Sequence, residues 1–275
     1  MSDAPIITRF APSPNGHLHM GHAYSAVLAH DLAKAADGKF LLRIEDIDGP
    51  RSRPELADEF RADLAWLGLE WDEVPAQSTR LDSYAEVARQ LVERGFLYPC
   101  TCTRKQIAEL PSRTGEDGLE YPGTCRSTCG ARNSAPDEPY ALRLDVDRVM
   151  AEVGEIIWTD AFIGSVIADP RPLGDVVIVR KDLPASYNLA VTLDDAADGV
   201  TLVTRGKDLI ESTHVHRVLQ PLLDLPVPHW HHHELLLGDD GEKLAKRKGS
   251  PSLADRREGG EDGLELADKL RSLKL

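Results

Sequence analysis

The sequence predicts an α/β protein built on a Rossmann-like parallel sheet. Short apolar strands at 6–11 and 40–45 flank an alanine-rich helix at 21–36. Strand, tight turn, helix and strand make a βαβ unit, whose two strands normally run parallel. A similar alternation of strands and helices returns in the second half of the chain, after a cysteine-bearing segment that interrupts it.

The other elements follow in chain order. Proline and glycine at 12–16 end the first strand. Apolar periodicity predicts helices at 54–67, 83–94, 187–193, 214–222 and, weakly, 263–273. Strands are predicted at 140–146, 155–168, 175–180 and 200–205. The histidine-rich run from His229 to His233 is interpreted as strand and loop, in preference to a metal site.

These elements divide the 275 residues into four stretches. Residues 1–95 and 136–225 are expected to form the two halves of the Rossmann-like domain. Residues 96–135 are expected to be an insertion held together by a ligand, and 226–275 a short C-terminal region. No apolar run approaches the length of a membrane span, and the first residues lack a signal peptide, so we expect a cytoplasmic protein without membrane contact.

The net charge of −14 argues against an extended nucleic-acid-binding surface. One local basic strip stands out, because the segment KLAKRK at 243–248 holds four cations in six residues. By itself, such a strip is more typical of a solvated loop than of a binding surface.

Residues 17–22, HLHMGH, lie where the first strand gives way to the first helix. A helix N-terminus offers unpaired N–H groups and partial positive charge, and so attracts anions. Gly21 permits close approach of a ligand, while His19 and His22 can donate to phosphate oxygens. The alternative is that these histidines only cap the helix or bind a stray metal.

The segment APSPNGHLHMGH at 11–22 resembles the HIGH signature of class I aminoacyl-tRNA synthetases, in the form of the glutamyl and glutaminyl branch. The segment KLAKR at 243–247 is similar to their KMSKS loop, with Ala245 in the place of serine. The resemblance implies attack of an amino-acid carboxylate on the α-phosphorus of ATP, with Mg²⁺ bound to ATP. The implied catalytic residues are His19, His22 and Lys246, with ATP also contacted by Gly21 and Lys243. The effect of Ala245 stays open.

Glutamate needs cations for two carboxylates and an anion for its ammonium. Arg9 can offer a bidentate fork, and Glu45 ends a neighbouring strand, where it can hold the ammonium. The blocks RIEDID at 43–48, SYNLA at 186–190 and TRGKDL at 204–209 also resemble the glutamyl-type family. That resemblance implies contacts to glutamate from Arg9, Ser13, Glu45, Tyr187 and Arg205. Two arginines there would reject glutamine, whose amide cannot neutralise them.

Four cysteines, Cys100, Cys102, Cys125 and Cys129, lie within 30 residues. In a chain without a secretion signal this clustering favours a metal site over disulfides. Donor chemistry alone favours Cys129 as the fourth ligand of a structural zinc ion. The pattern C-x-C with Y-x-x-x-C instead resembles the short glutamyl-queuosine tRNA(Asp) synthetases, which implies Tyr121. Unmetallated cysteines are the remaining alternative.

The acceptor of the activated glutamate is inferred from the family resemblance. Glutamyl-tRNA synthetases continue beyond the KMSKS loop into an anticodon-binding region, whereas 27 residues follow Lys248, so no such domain is expected here. The resemblance to the short paralogues implies a monomer that activates glutamate without tRNA and transfers it to queuosine in the anticodon of tRNA(Asp). The alternatives are a truncated glutamyl-tRNA synthetase, and a zinc-stabilised nucleotide- or RNA-binding module without turnover.

Overall fold

The computed structural model describes residues 5–109, 114–115, 118–119, 121, 123–128, 138–236 and 251–273. Its helices are α1 (Met20–Ala35), α2 (Pro54–Trp66), α3 (Leu81–Glu93), α4 (Arg104–Ala108), α5 (Thr124–Thr128), α6 (Val146–Val153), α7 (Tyr187–Ala197), α8 (Ile210–Leu222), α9 (Leu253–Glu258) and α10 (Gly263–Ser272). Its strands are β1 (Ile7–Phe10), β2 (Lys39–Leu42), β3 (Asp72–Glu73), β4 (Leu97–Cys100), β5 (Thr114–Gly115), β6 (Gly118–Leu119), β7 (Ala141–Leu144), β8 (Ile157–Asp160), β9 (Gly164–Ile167), β10 (Val177–Val179), β11 (Leu202–Gly206) and β12 (His229–His233).

The predicted parallel α/β architecture is confirmed. Strands β1, β2 and β3 form one parallel sheet, with Ile7 opposite Lys39. Strand β11 pairs in parallel with β12, which is followed by β8. The two sheets meet at β1 and β11, which lie side by side. Thr201, directly before β11, donates its N–H to the Ile7 carbonyl on β1 at 2.9 Å. The carboxyl ends of β1 and β11 therefore come to one region of the molecule.

Helix α1 packs closely against β1. Its buried face is rich in small side chains, including Ala26, Ala29 and Ala33. The Thr8 hydroxyl on β1 donates to the Ala29 carbonyl at 2.7 Å, a contact that larger side chains at the interface would prevent. This close packing sets the helix N-terminus beside the end of β1.

The predicted single strand at 155–168 is wrong, because this segment forms a hairpin of β8 and β9. Asp160 Oδ1 accepts from the N–H groups of Phe162 and Ile163 at 2.8 and 3.1 Å, and Gly164 adopts a φ of +82°. A side-chain acceptor and a glycine in the left-handed region together turn the chain. The turn gives Asp160 a fixed position at the end of β8.

Four of the described helices, α4, α5, α6 and α9, arise where the sequence analysis expected none. Asp145 accepts from the Arg148 N–H at the start of α6, and Ser252 forms a reciprocal cap with Asp255 at the start of α9. Such caps stabilise short helices, because they satisfy N–H groups that the first turn leaves unpaired. Helix α9 packs on α2 and carries Leu253 into the core around α1.

Strands β4, β7 and β10 form a separate antiparallel sheet, which joins the start of the cysteine-bearing segment to two later strands. Strand β7 lies between β4 and β10, with Cys100 on β4 opposite Ala141. Helices α4 and α5 follow β4, and α5 packs against it. None of the described helices combines the length and apolarity needed to cross a bilayer.

Candidate active site

A pocket of about 630 Å³ opens where β1, the N-terminus of α1, α7 and β11 meet. Eight of the predicted site residues line it: Arg9, Ser13, His19, Gly21, His22, Glu45, Tyr187 and Arg205. They come from four separate parts of the sequence. The fold therefore brings together all five residues predicted for glutamate and three of the five predicted for ATP.

The two histidines at the start of α1 form a reciprocal cap. The Gly21 N–H donates to His19 Nδ1 at 3.2 Å, and the His19 N–H donates to His22 Nδ1 at 3.3 Å. Their ring centres lie 3.8 Å apart. A Cβ at Gly21 would come within 3.2 Å of the His19 ring, so glycine leaves this ring room to lie over the helix end.

The cap determines the tautomer of both rings. A ring nitrogen that accepts a hydrogen bond carries no proton, so Nε2 holds the proton in each neutral imidazole. Burial lowers the pKa of His22 to about 3, with a further contribution from His19, and burial also lowers the pKa of His19. At neutral pH the pair therefore presents two uncharged Nε2–H donors beside the positive end of a helix. The capping alternative raised by the sequence is thus compatible with phosphate binding.

Arg205, on β11, is a buried cation with neutral partners. Its guanidinium donates to the Tyr187 hydroxyl at 3.0 Å, to Thr213 Oγ1 at 2.5 Å and to His232 Nε2 at 3.1 Å. Within the described part of the chain no carboxylate lies within 4.0 Å of it. Burial lowers the pKa of Arg205, but a guanidinium remains charged at neutral pH. Its charge is therefore available to an anion in the pocket.

Arg9 is held in a different way. Its Nε donates to Asp195 Oδ1 at 2.9 Å, and its Nη1 donates to the Thr204 carbonyl at 3.1 Å. Asp195 also accepts from Arg43 Nη2 at 2.8 Å, and the two guanidinium groups keep the pKa of Asp195 well below its usual range despite burial. The two pocket arginines are therefore not equivalent, because Arg9 already has an anionic partner.

Glu45 faces the same pocket from the loop after β2. Its nearest cation is Arg43, whose Nη2 lies 3.3 Å from Oε1. Burial raises the pKa of Glu45 to about 7, although the charges of Arg43 and Arg9 oppose the shift. The carboxyl group is therefore close to its titration point at neutral pH and would gain from a cationic ligand.

Sequence analysis missed several residues that support the site. Asp195 on α7 holds Arg9, while Thr213 on α8 and His232 on β12 hold Arg205. The HWHHH run was a visible signal, and its prediction as a strand is confirmed by β12. His232 has its Nδ1 2.7 Å from Asp160 Oδ2, so it serves a hydrogen-bond network.

A second cluster lies in the segment after β4. The sulfur atoms of Cys100, Cys102 and Cys125 lie within 4.8 Å of one another, and no disulfide joins them. The Tyr121 hydroxyl is 3.4 Å from the Cys100 sulfur and 3.8 Å from the Cys102 sulfur. The arrangement brings three thiols and a phenol to one point and could hold a metal ion.

The spacing of these donors fits a tetrahedral metal. Zinc–sulfur bonds of about 2.3 Å place two sulfurs about 3.8 Å apart in a tetrahedron. The Cys102 and Cys125 sulfurs are 3.4 Å apart, and the hydroxyl of Tyr121 accepts from the Cys125 N–H at 2.8 Å. Burial raises the pKa of Tyr121, so its phenol oxygen becomes a ligand only where a metal offsets the loss of the proton.

Three predicted residues lie outside the described residues: Lys243 and Lys246 of the basic segment, and Cys129 of the cysteine group. The described residues on either side of the basic segment lie near the pocket. Leu235 and Leu236 line the pocket, and the Leu253 N–H donates to the carbonyl of Leu18, another lining residue, at 2.8 Å.

Comparison with known proteins identifies the family of this chain. Residues 5–268 match the family described as tRNA synthetases class I (E and Q), catalytic domain. A glutamyl-Q tRNA(Asp) synthetase of Rhodobacter capsulatus is 47% identical, over 98% of this chain and 100% of that protein. The enzyme of the same name from Symbiobacterium thermophilum is 44% identical, over 92% of this chain and 81% of that protein.

Longer relatives are also similar. A glutamate–tRNA ligase of Aquifex aeolicus is 38% identical over 93% of this chain, which spans 54% of that protein. The crystal structure of a glutamate tRNA ligase from Elizabethkingia meningosepticum, in complex with its amino acid, superposes with a TM-score of 0.70 at 27% identity. It covers 94% of this chain, which again spans about half (54%) of the longer protein. The chain therefore belongs to the class I tRNA synthetases of the E and Q family.

Proposed function

We propose that this protein activates glutamate with ATP, without tRNA, and transfers the glutamyl group to queuosine in the anticodon of tRNA(Asp). One observation carries the activation step. A single pocket combines two neutral imidazole donors at a helix N-terminus with the buried guanidinium of Arg205, which has no carboxylate partner among the described residues. The imidazole donors at the helix N-terminus are complementary to a phosphate, and the guanidinium is complementary to a carboxylate.

The first step forms glutamyl-adenylate. An α-carboxylate oxygen of glutamate bonds to the α-phosphorus of ATP, the bond to the bridging oxygen breaks, and pyrophosphate leaves. The carboxylate is already ionised, so positioning and neutralisation of charge carry the catalysis. His19 and His22 donate from Nε2 to phosphate oxygens, Gly21 allows their close approach, and Lys243 and Lys246 supply cations. Mg²⁺ bound to ATP neutralises further phosphate charge.

The glutamate side consists of Arg9, Ser13, Glu45, Tyr187 and Arg205. Glu45 holds the ammonium group, whose positive charge favours the ionised form of this buried carboxyl group. Arg205 binds a carboxylate together with the Tyr187 hydroxyl. Because Asp195 already neutralises Arg9, we assign the rejection of glutamine chiefly to Arg205.

A structural zinc ion is proposed in the segment 96–135. Cys100, Cys102, Tyr121 and Cys125 would hold it, and their mutual distances support this assignment. The ion would cross-link β4 to the residues around α5 and leave no open coordination position. The catalytic domain would then consist of 1–95 and 136–225, followed by the basic segment in 226–275.

The acceptor is inferred from the relatives. The two relatives named glutamyl-Q tRNA(Asp) synthetase are aligned over 100% and 81% of their own lengths. A second candidate is the charging of a tRNA 3′ end, which the similarity to the Aquifex aeolicus glutamate–tRNA ligase favours. The 47% identity over a whole relative supports the first acceptor.

One assay tests activation, and a second tests the acceptor. Glutamate-dependent exchange between ATP and pyrophosphate is measured with and without tRNA. Exchange without tRNA supports the proposal, exchange that requires tRNA supports the second candidate, and no exchange in either condition contradicts both. Glutamylation is then compared between tRNA(Asp) with and without queuosine, and labelling of unmodified tRNA at its 3′ end would overturn the proposed acceptor.

A further inference from the structure

The surroundings of Arg205 are unusual for a buried cation, because its three shortest contacts are all to uncharged groups. They are the hydroxyls of Tyr187 and Thr213 and the Nε2 atom of His232. A buried guanidinium is ordinarily balanced by a carboxylate, since an unpaired charge is costly to bury. In the same molecule Arg43 has this ordinary arrangement, with Asp195 and Asp198 within 2.9 Å.

Asp160 determines which nitrogen of His232 faces Arg205. His232 Nδ1 is 2.7 Å from Asp160 Oδ2, and a carboxylate oxygen can only accept in this bond, so Nδ1 carries the proton. The Nε2 lone pair is then free to accept from Arg205 Nε at 3.1 Å. Burial lowers the pKa of His232 to about 4, helped by the charge of Arg205, so the ring is neutral.

Asp160 is itself held firmly as an acceptor. Its Oδ1 takes the N–H groups of Phe162 and Ile163, and its Oδ2 takes both the N–H and the Nδ1–H of His232. Four donors thus converge on two oxygens. An amide at this position would have to point its NH₂ at two of them, so the arrangement requires a carboxylate.

We propose that His232, oriented by Asp160, is a positioning residue that determines selectivity for a carboxylate over an amide. It fixes the direction of the Arg205 guanidinium through a neutral acceptor and leaves the positive charge for the substrate. A carboxylate in its place would hold Arg205 equally well but would neutralise it. The inference deepens the proposed function, because the substrate carboxylate it concerns is that of glutamate.

Substitutions at position 232 separate charge from hydrogen bonding. His232→Gln keeps a neutral acceptor, whereas His232→Glu places an anion against Arg205. The measurements are kcat and KM for glutamate and for glutamine in ATP–pyrophosphate exchange, together with the KM for ATP. In His232→Glu we expect the ratio of kcat/KM for glutamate to kcat/KM for glutamine to fall by at least about tenfold. The fall should come from a higher KM for glutamate, because the new carboxylate neutralises Arg205. In His232→Gln the ratio should stay within about threefold, and the KM for ATP should stay within about threefold in both.

Thr213→Asp provides a second route if His232→Glu does not fold. It brings a carboxylate to the same guanidinium from α8, and Thr213→Ser is its matched control because it keeps the hydroxyl. The inference is overturned if His232→Glu or Thr213→Asp folds and keeps the wild-type preference for glutamate over glutamine. It is also overturned if His232→Gln loses that preference. Calorimetric titration with glutamate and glutamine measures the same selectivity without turnover. If the wild-type protein shows no exchange, the proposed function is contradicted. The titration still shows whether His232 determines the preference for glutamate over glutamine.

Discussion

Asp195 Oδ1 joins two arginines that lie 34 positions apart in sequence, accepting from Arg9 Nε at 2.9 Å and from Arg43 Nη2 at 2.8 Å. All three side chains are buried. One carboxylate oxygen on α7 thus couples β1, which carries the pocket residue Arg9, to the loop after β2.

Asp195→Asn is expected to destabilise the protein substantially. Removing one charge from a buried ion pair costs about 3–5 kcal/mol, because the remaining cation is left uncompensated. The free energy of unfolding in urea measures this. Asp182→Asn is the matched control, since Asp182 pairs with Arg180 at the surface and its loss should cost less than about 1 kcal/mol. Equal losses in the two variants would contradict the role of Asp195.

Gly21→Ala is expected to impair activation without harming stability. The added Cβ would press on the His19 ring at 3.2 Å and displace its Nε2 donor. Misplaced groups of this kind lower the rate by about tenfold or more. Alanine favours a helix over glycine by up to about 1 kcal/mol, so the melting temperature should be unchanged or higher. Exchange at the wild-type rate would show that the ring position is unimportant.

Glutamate use should depend on pH through Glu45. The pKa of this carboxyl group is raised to about 7, so below that pH it is largely protonated and offers no charge to an ammonium group. We therefore expect kcat/KM for glutamate to rise as pH increases through about 7. His22, with a pKa of about 3, stays neutral over this range. Glu45→Gln should be less active and lose this dependence, and an unchanged profile in that variant would assign the titration elsewhere.

Lys246→Ala should lower adenylate formation far more than it weakens glutamate binding. The proposed role of Lys246 is to stabilise charge that develops on the phosphates, an interaction strongest in the transition state. ATP–pyrophosphate exchange and glutamate titration measure the two effects separately. Lys269→Ala, on the exposed surface of α10, is the control for loss of a lysine. Wild-type exchange by Lys246→Ala would refute the assignment.

The cysteine cluster should retain one zinc ion per chain in purified protein. Cys102→Ser should reduce zinc retention, because it removes a thiolate ligand. Tyr121→Phe and Cys129→Ser distinguish the two candidates for the fourth ligand. We expect Tyr121→Phe to lose zinc and Cys129→Ser to retain it. Elemental analysis after dialysis against a chelator gives the metal content. Retention by Tyr121→Phe together with loss in Cys129→Ser would reverse the ligand assignment.

Local patterns in the sequence determined a large part of this protein. Apolar patterning located α1 and β2, and the junction of strand and helix at 17–22 indicated the pocket, because short-range sterics and burial act within a few residues. The HLHMGH and TRGKDL segments identified His19, His22 and Arg205 as pocket residues, and all three line it. The hairpin at Asp160 was missed because a side-chain acceptor, Asp160 Oδ1, forms its turn in the middle of a mainly apolar run.

Only the tertiary structure decided how these groups are charged and partnered. Arg9 and Arg205 look alike in sequence, yet Asp195 neutralises the former, and His232 with Thr213 leaves the charge of the latter free. The Arg9–Asp195 contact joins residues 186 positions apart. Burial and long-range pairing determine electrostatic free energy, and neither is encoded in local spacing.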